Sequence, residues 1–310
     1  VRSLILIVLT TLLTISAATA TADPAAPDAD DIVGVGDRSS EALFDGLAAA
    51  YNASGPSAAL ASWAATGPSP IVPRTGADPI DRPNDPTTSL AELNRPGSTI
   101  DFARVSRPRQ PTDGGTGVLY LPFATDKIGY ATAAVTNAPP MLPDFLKRIF
   151  ECTATTWHQV RPGSSGQTIE PVLPRGDSGS RITFLRAIRV TTPGPCVTEV
   201  DENDPTAFAG NPNRIGPFAQ SRYTKLPSPR PIKVDTYLLA GTVFISTVVR
   251  DTNGPGPNGG VPDPLQPLFG TGIVGPDATG VGWICGTQAK DIIRAQGYNQ
   301  LPVGTCGKQT

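Results

Sequence analysis

Leu173-Pro174-Arg175-Gly176-Asp177-Ser178-Gly179-Ser180-Arg181 decides how this chain is read. An extended apolar run, Thr168 to Leu173, leads into it. A helical pattern leaves it: Ile182, Leu185 and Ile188 recur at a spacing of three, with Phe184 beside them. Ser-Gly-Ser therefore stands where a strand hands over to a helix N-terminus. The first amides of a helix have no internal partners and carry about half a positive charge through the helix dipole. Glycine admits a close approach to the backbone, the serine hydroxyls add donors, and Arg175 and Arg181 bracket the turn with full charges. This is the composition of an oxyanion cradle. An ordinary helix cap is the plainer reading, since Asp and Ser are favoured there in any case.

Working outward, the 310 residues suffice for one large domain or two ordinary ones, and a hydrophobic share of 39% is adequate for a core. A formal net charge of −2 argues against a general nucleic-acid binder. Thirty-two glycines and 34 prolines imply many turns and stiff loops. Leu4 to Ile15 is an apolar stretch behind Arg2, followed by small residues up to Ala20-Thr21-Ala22. Residues 1–22 thus read as a secretory signal, too short in its apolar core to span a membrane, and residues 23–30 as a disordered leader. No later stretch has membrane-spanning length, so the mature chain is expected outside the cell or held at its envelope.

Four cysteines fit an exported protein. Three pairings are open. Cys152–Cys196 with Cys285–Cys306 is preferred, because each pair brackets one compact segment. In the chain-entropy picture these loops are worth about 4 and about 3 kcal/mol. A metal site is disfavoured: no two cysteines are close, and His158 is the one histidine. No cofactor is implied.

Strands and helices alternate along the chain. Ile32 to Gly36 reads as a strand, and Leu43, Leu47, Ala50 and Tyr51 as a helix face. Ser89 to Glu92 has capping-box spacing. Strands are expected at 99–103, 117–123, 127–133, 214–218 and 242–250, and helices around 145–150 and over 287–296. The class is α/β with mostly parallel sheets. Ligands on such sheets meet the carboxyl ends of strands beside helix N-termini. Four places qualify: Asp37 to Ser40, Thr87 to Ser89, Ser106-Arg107, and Ser178 to Ser180.

Several motifs together resemble those of the phosphate-binding, type 2 periplasmic-binding-protein family, the solute receptors of ABC transporters. They are Ile32-Val33-Gly34-Val35-Gly36 with its polar cap, Arg82-Pro83-Asn84, Ile100-Asp101-Phe102-Ala103-Arg104, Leu121-Pro122-Phe123-Ala124-Thr125-Asp126, Ser178-Gly179-Ser180 and Pro217-Phe218. They run in family order from Asp31 to Gly307, and the branch most resembled is the exported, disulfide-containing actinobacterial one. The resemblance implies two α/β lobes joined by a hinge, with residues 31–121 and 236–310 forming one lobe and 122–235 the other. It implies a monomeric receptor, not an enzyme, that delivers phosphate to a permease. The implied ligand set is Ser178, Gly179 and Ser180, Ser39 or Ser40, Thr87 or Thr88, and one arginine. That arginine falls near Arg175, one residue closer to the serine than the family places it, and Arg181 is the substitute. The family's pocket aspartate falls on Ser106. That acid accepts the proton of hydrogen phosphate and repels sulfate, so its loss weakens the discrimination unless Asp37 restores it. Sulfate and organic phosphates stay open.

Other readings compete. Gly176-Asp177-Ser178-Gly179 resembles the nucleophile motif of trypsin-like proteases, but His158 lies only 20 residues upstream and a helix pattern follows the serine. Arg175-Gly176-Asp177 spells an adhesion tripeptide inside the expected cleft. Arg181, Arg186 and Arg189 read as a solvated helix face. A secreted surface protein that keeps the two-lobed fold without binding phosphate is the main alternative.

Overall fold

The computed structural model describes residues 23–113, 117–236, 241–251, 260–274 and 279–310. The expected signal segment, 1–22, lies outside them. The chain runs β1 (Ile32–Gly36), α1 (Glu41–Ala53), β2 (Leu60–Ser62), α2 (Pro86–Asn94), β3 (Phe102–Val105) and β4 (Val118–Ala133). It continues through α3 (Pro143–Phe150), α4 (Trp157–Val160), β5 (Glu170–Leu173), α5 (Gly179–Ala187), β6 (Thr198–Glu199) and β7 (Arg214–Ala219). Then follow α6 (Gln220–Thr224), β8 (Ile232–Asp235), β9 (Gly241–Arg250), α7 (Gln266–Phe269), α8 (Thr287–Ala295) and β10 (Asn299–Gln300).

The strands lie in the order β2-β1-β3-β9-β4-β7-β5-β6, with β8 and β10 also pairing with β4. Strand β4 organises both lobes. Its residues 118–128 pair with β9, and its residues 128–133 pair with β7 and β8. The two short strands expected at 117–123 and 127–133 are thus one long strand. Its register shifts between Pro122 and Ala124, and Asp126 and Lys127 interrupt the apolar pattern without ending it. The sheet is mixed rather than mostly parallel. Strands β1, β2 and β3 are parallel, as are β5, β6 and β7, but every pairing of β4 and β9 is antiparallel. Among the described residues no α-helix stands between β3 and β4 or between β8 and β9.

Aromatic residues fill the core. Phe44 stacks on Phe102 at 5.5 Å and meets Phe123 edge-on at 5.6 Å. Trp157 is fully buried in the same core, where Phe150 and Phe184 meet edge-on at 5.0 Å. A Cβ at Gly34 would lie 2.0 Å from the Phe102 ring, so this glycine of the β1 motif makes room for the aromatic cluster. The preferred disulfides are present, Cys152–Cys196 and Cys285–Cys306.

The leader expected to be disordered is instead tied to its lobe. Both Asp23 carboxylate oxygens accept from Arg82 at 2.7 Å, Pro27 O accepts from the Thr75 amide at 2.8 Å, and Ala29 O accepts from Arg74 at 2.5 Å. Arg82, from the Arg82-Pro83-Asn84 motif, and Arg74, which sequence patterning leaves unassigned, supply the side-chain donors. Among the described residues, no helix is long and apolar enough to cross a membrane.

Candidate functional site

The turn after β1 is held by one carboxylate. Asp37 Oδ1 accepts from the Ser39 hydroxyl at 2.7 Å, from the Ser40 amide at 3.0 Å and from the Ser40 hydroxyl at 2.9 Å. These donors belong to the start of α1, where free amides favour an acceptor. Asp37 is 2% exposed, and its other oxygen, Oδ2, is buried with no hydrogen-bond partner. Beneath it, the fully buried Arg104 of β3 donates to Gly36 O at 3.1 Å, to Trp63 O at 2.8 Å and to the Ser62 hydroxyl. Burial pulls the Arg104 pKa below the ordinary arginine value, while Asp37, Glu41 and Asp45 oppose that pull. The guanidinium is thus a fixed positive charge under an acidic turn.

The opposite wall is the start of α5. Ser178 is its N-cap, and its hydroxyl accepts from the Arg181 amide at 3.2 Å. Ser178 and Ser180 hydroxyls lie 2.9 Å apart. Both meet the carboxylate of Glu202: Glu202 Oε1 accepts from the Ser178 hydroxyl at 2.7 Å, from the Ser180 amide at 3.3 Å and from the Ser180 hydroxyl. Burial pushes the Glu202 carboxyl above the ordinary range. The Ser180 bond opposes the rise, Asp37 adds to it, and the Ser178 bond opposes it again. The two walls touch. Ser106 belongs to the first wall, where its Oγ lies 2.7 Å from Ser39 Oγ, and a Cβ on Gly179 of the second wall would lie 2.0 Å from Ser106 O.

A cavity of about 300 Å³ opens between them. Asp37, Arg38, Asp85, Arg175, Asp177, Ser178, Asp201 and Glu202 line it with Ala65, Thr66, Asn84, Pro86 and Val200. Five carboxylates thus face two arginines. Asp177 faces Asp85 across the cavity; burial and that neighbouring acid push the Asp177 carboxyl upward, and the Thr87 hydroxyl opposes them. Arg38 reaches Asp201 at 3.8 Å across the exposed rim, a pair worth little in water. Among the described residues, no group of three or more His, Cys, Asp or Glu is arranged to hold a metal ion.

The structure joins Asp37, Ser39, Ser40, Ser106, Ser178, Gly179 and Ser180 through successive contacts; of these Asp37 and Ser178 line the cavity, with Arg175 exposed at its wall. Three expected ligands stand apart. Arg181 turns away to Pro174 O at 2.6 Å and to Glu199 at 3.0 Å. Thr88 serves the helix start, its amide donating to Asp85 Oδ1 at 2.7 Å. Thr87 is exposed and meets Asp177 rather than the cradle. Both follow from the start of α2: Asp85 is its cap and Pro86 its first residue, so the helix begins three residues before the expected Ser89. Ser178 bonds Glu202 and Ser180 rather than His158, which lies exposed on α4, so the protease geometry is not formed. Sequence reasoning missed Glu202, Asp85 and Asp201. The one available signal was the acidic run Asp201-Glu202-Asn203-Asp204, which has the composition of a solvated turn.

A family model described as a PBP superfamily domain matches residues 21–228. The chain belongs to the PBP superfamily. Solved structures share the fold of this PBP-superfamily chain at low identity. An ABC-type phosphate transport receptor from Vibrio cholerae superposes with a TM-score of 0.61 at 17% identity, covering 88% of this chain and 100% of that one. A putative phosphate ABC transporter substrate-binding protein with bound phosphate, from Clostridium perfringens, gives 0.63 at 13% identity over 88% of this chain and 100% of that one. A phosphate-binding protein from Stenotrophomonas maltophilia gives 0.52 at 11% identity over 88% and 91%. No curated protein matches the sequence. The type 2 fold expected from the motifs is the fold observed.

Proposed function

We propose that this chain is an exported, monomeric solute-binding protein that closes its lobes on a small oxyanion, phosphate first, and presents it to an ABC permease. In this reading the N-terminal 22 residues are removed on export, and the lobes, 31–121 with 236–310 against 122–235, pivot on β4 and β9. One observation carries the proposal: two hydroxyls and one amide at the start of α5 converge on a single anionic oxygen, Glu202 Oε1. A cradle that seats a carboxylate oxygen has the donors a phosphate oxygen needs. Asp37 supports the choice of phosphate, because its buried, unpartnered Oδ2 suits the proton of hydrogen phosphate and repels sulfate.

Micromolar affinity needs about 8 kcal/mol. Charge-assisted hydrogen bonds contribute roughly 1.5–3 kcal/mol each, so donors from one wall alone fall short and both lobes must engage. A micromolar site gains about 4 kcal/mol of stability at about 1 mM ligand, so the melting temperature of the pure protein rises with phosphate and rises less with sulfate. Ser178→Ala is expected to weaken phosphate roughly 10- to 100-fold with the fold intact, the equivalent of one charge-assisted bond. Asp37→Asn is expected to narrow the gap between phosphate and sulfate. Calorimetric titration reads both variants. Melting curves unmoved by either anion would sink the proposal and favour a surface protein that has kept only the fold.

A further inference from the structure

We infer that Glu202 is the resident anion of the cradle, and that a solute oxyanion binds by exchanging with its carboxylate, so that Glu202 sets the affinity of the site. The inference rests on the oxyanion reading above and goes beyond it, because it assigns the site an internal competitor.

Glu202 is delivered by a built turn rather than a loose loop. The Val200 amide donates to Leu173 O at 3.0 Å on one side of it. On the other, Asn203 adopts a positive φ of 56° and its side-chain Oδ1 accepts from the Ala219 amide at 2.8 Å. Asn tolerates that conformation better than most residues. Next, Asp204 caps the short helical turn at Pro205–Ala207. The segment is thus tied to β5 and β7, the same strands that position α5. Its glutamate side chain is the part free to leave.

The occupant is also under strain. It gives up water, and it faces Asp37, Asp201, Asp85 and Asp177 along the cavity with Arg38 and Arg175 as the countercharges. An incoming anion therefore does not add to the Glu202 charge in the cradle; it replaces it. A carboxylate that swings out to water regains solvation, while Ser178 and Ser180 keep an anionic partner throughout. Any ligand that must displace a bound state sees its apparent affinity reduced by the fraction of protein that is competent. Removing the competitor removes that reduction.

The test is calorimetric titration of inorganic phosphate and of sulfate into wild type, Glu202→Gln, Glu202→Ala and Glu202→Ala/Ser178→Ala, each checked for folding by thermal melting. Glu202→Ala is expected to bind phosphate at least about tenfold tighter than wild type, with Glu202→Gln between them, because a neutral amide oxygen accepts but carries no charge. The double variant is expected to lose that gain. A second readout separates competition from mere structure: sodium acetate, a free carboxylate, is expected to raise the melting temperature of Glu202→Ala and leave wild type unmoved. Phosphate affinity equal to or weaker than wild type in Glu202→Ala overturns the exchange while leaving the oxyanion receptor standing. Absence of phosphate and sulfate binding in wild type and in both single variants overturns the receptor reading and the exchange together.

Discussion

Arg107→Ala and Asp113→Ala are each expected to cost about 3–5 kcal/mol of folding stability, the range for removing one member of a buried ion pair. Arg107 donates to the two Asp113 oxygens at 2.6 and 2.7 Å, and both side chains are at most 3% exposed. The Tyr120 hydroxyl and the Gln110 amide each donate to the same Asp113 oxygen at 2.6 Å. Losing either charge strands the other among these groups with no water to replace it. The pair closes residues 107–113 into a turn directly after Ser106. Phosphate affinity is therefore expected to fall with stability. The double replacement Arg107→Met/Asp113→Leu is expected to recover most of the loss, because two apolar side chains leave no orphaned charge. Burial raises the Asp113 pKa, but the bonds from Arg107, Tyr120 and Gln110 outweigh it and hold the group below its ordinary value. The sign follows: the contribution is complete above about pH 4, the unfolded value, and is lost as pH falls toward the lower folded one. Urea melts of wild type and the three variants at pH 7 and under acid read all of this. Equal losses for the single and double replacements would mean that the pair carries no special coupling.

Local pattern carried the longer elements, but not short ones such as β2, α4, β6 and β8. The spacing in Ile182, Leu185 and Ile188 follows α5, and the glycine between two serines places its amides toward a partner. What escaped is long-range. Strand β4 looks like two strands because Asp126 is polar; in the fold it is 4% exposed, and its oxygens accept from the Ser221 hydroxyl at 2.5 Å and the Ser221 amide at 3.1 Å. Nothing near Asp126 in sequence announces that partner. Glu202 escaped for the same reason. An acid in a polar tetrapeptide carries no periodicity, and only the pairing of β5 with β7 brings its turn to the cradle 24 residues back along the chain. Arg104 was legible as part of a motif and illegible as a charge. Inside a strand it reads as an interruption, while in the fold it is the buried cation beneath Asp37.

Those long-range placements bear on how the two walls of the cleft are held together. Asp37 and Glu202 are acids on opposite walls, and one oxygen of each accepts from hydroxyls and amides of its own wall. Arg104 lies under the first wall and Arg175 at the cavity surface. The walls thus meet through the backbone approach of Gly179 to Ser106, the Asp85–Asp177 contact and the weak Arg38–Asp201 pair, rather than through a strong ion pair. Such contacts separate and re-form easily, which the proposed capture and release of a solute needs.

Gly179→Ala is the sharpest probe of that contact, and its expected effect on binding is comparable to losing a charge-assisted donor. The added Cβ would stand 2.0 Å from Ser106 O and 2.5 Å from Ser106 Oγ. The first of these is backbone on another element, so no rotamer change relieves it. Within α5 itself the exchange is favourable, since Ala is better than Gly in a helix by up to about 1 kcal/mol. Helix and clash therefore pull apart: the lobe carrying α5 gains, and the approach of α5 to Ser106 is lost. If the lobes separate in solution, the variant escapes the clash by resting open, and its melting temperature stays near that of wild type. Closure then costs about 2 kcal/mol or more, the range for overpacking, and phosphate affinity falls at least roughly 30-fold. Gly176→Ala is the matched control, because nothing lies within 4 Å of a Cβ at that position, three residues earlier in the same turn. Its affinity is expected to equal that of wild type. A Gly179→Ala protein that melts well below wild type yet binds phosphate normally would mean that the contact with Ser106 is a fixed part of the fold, and that the cleft does not work by opening there.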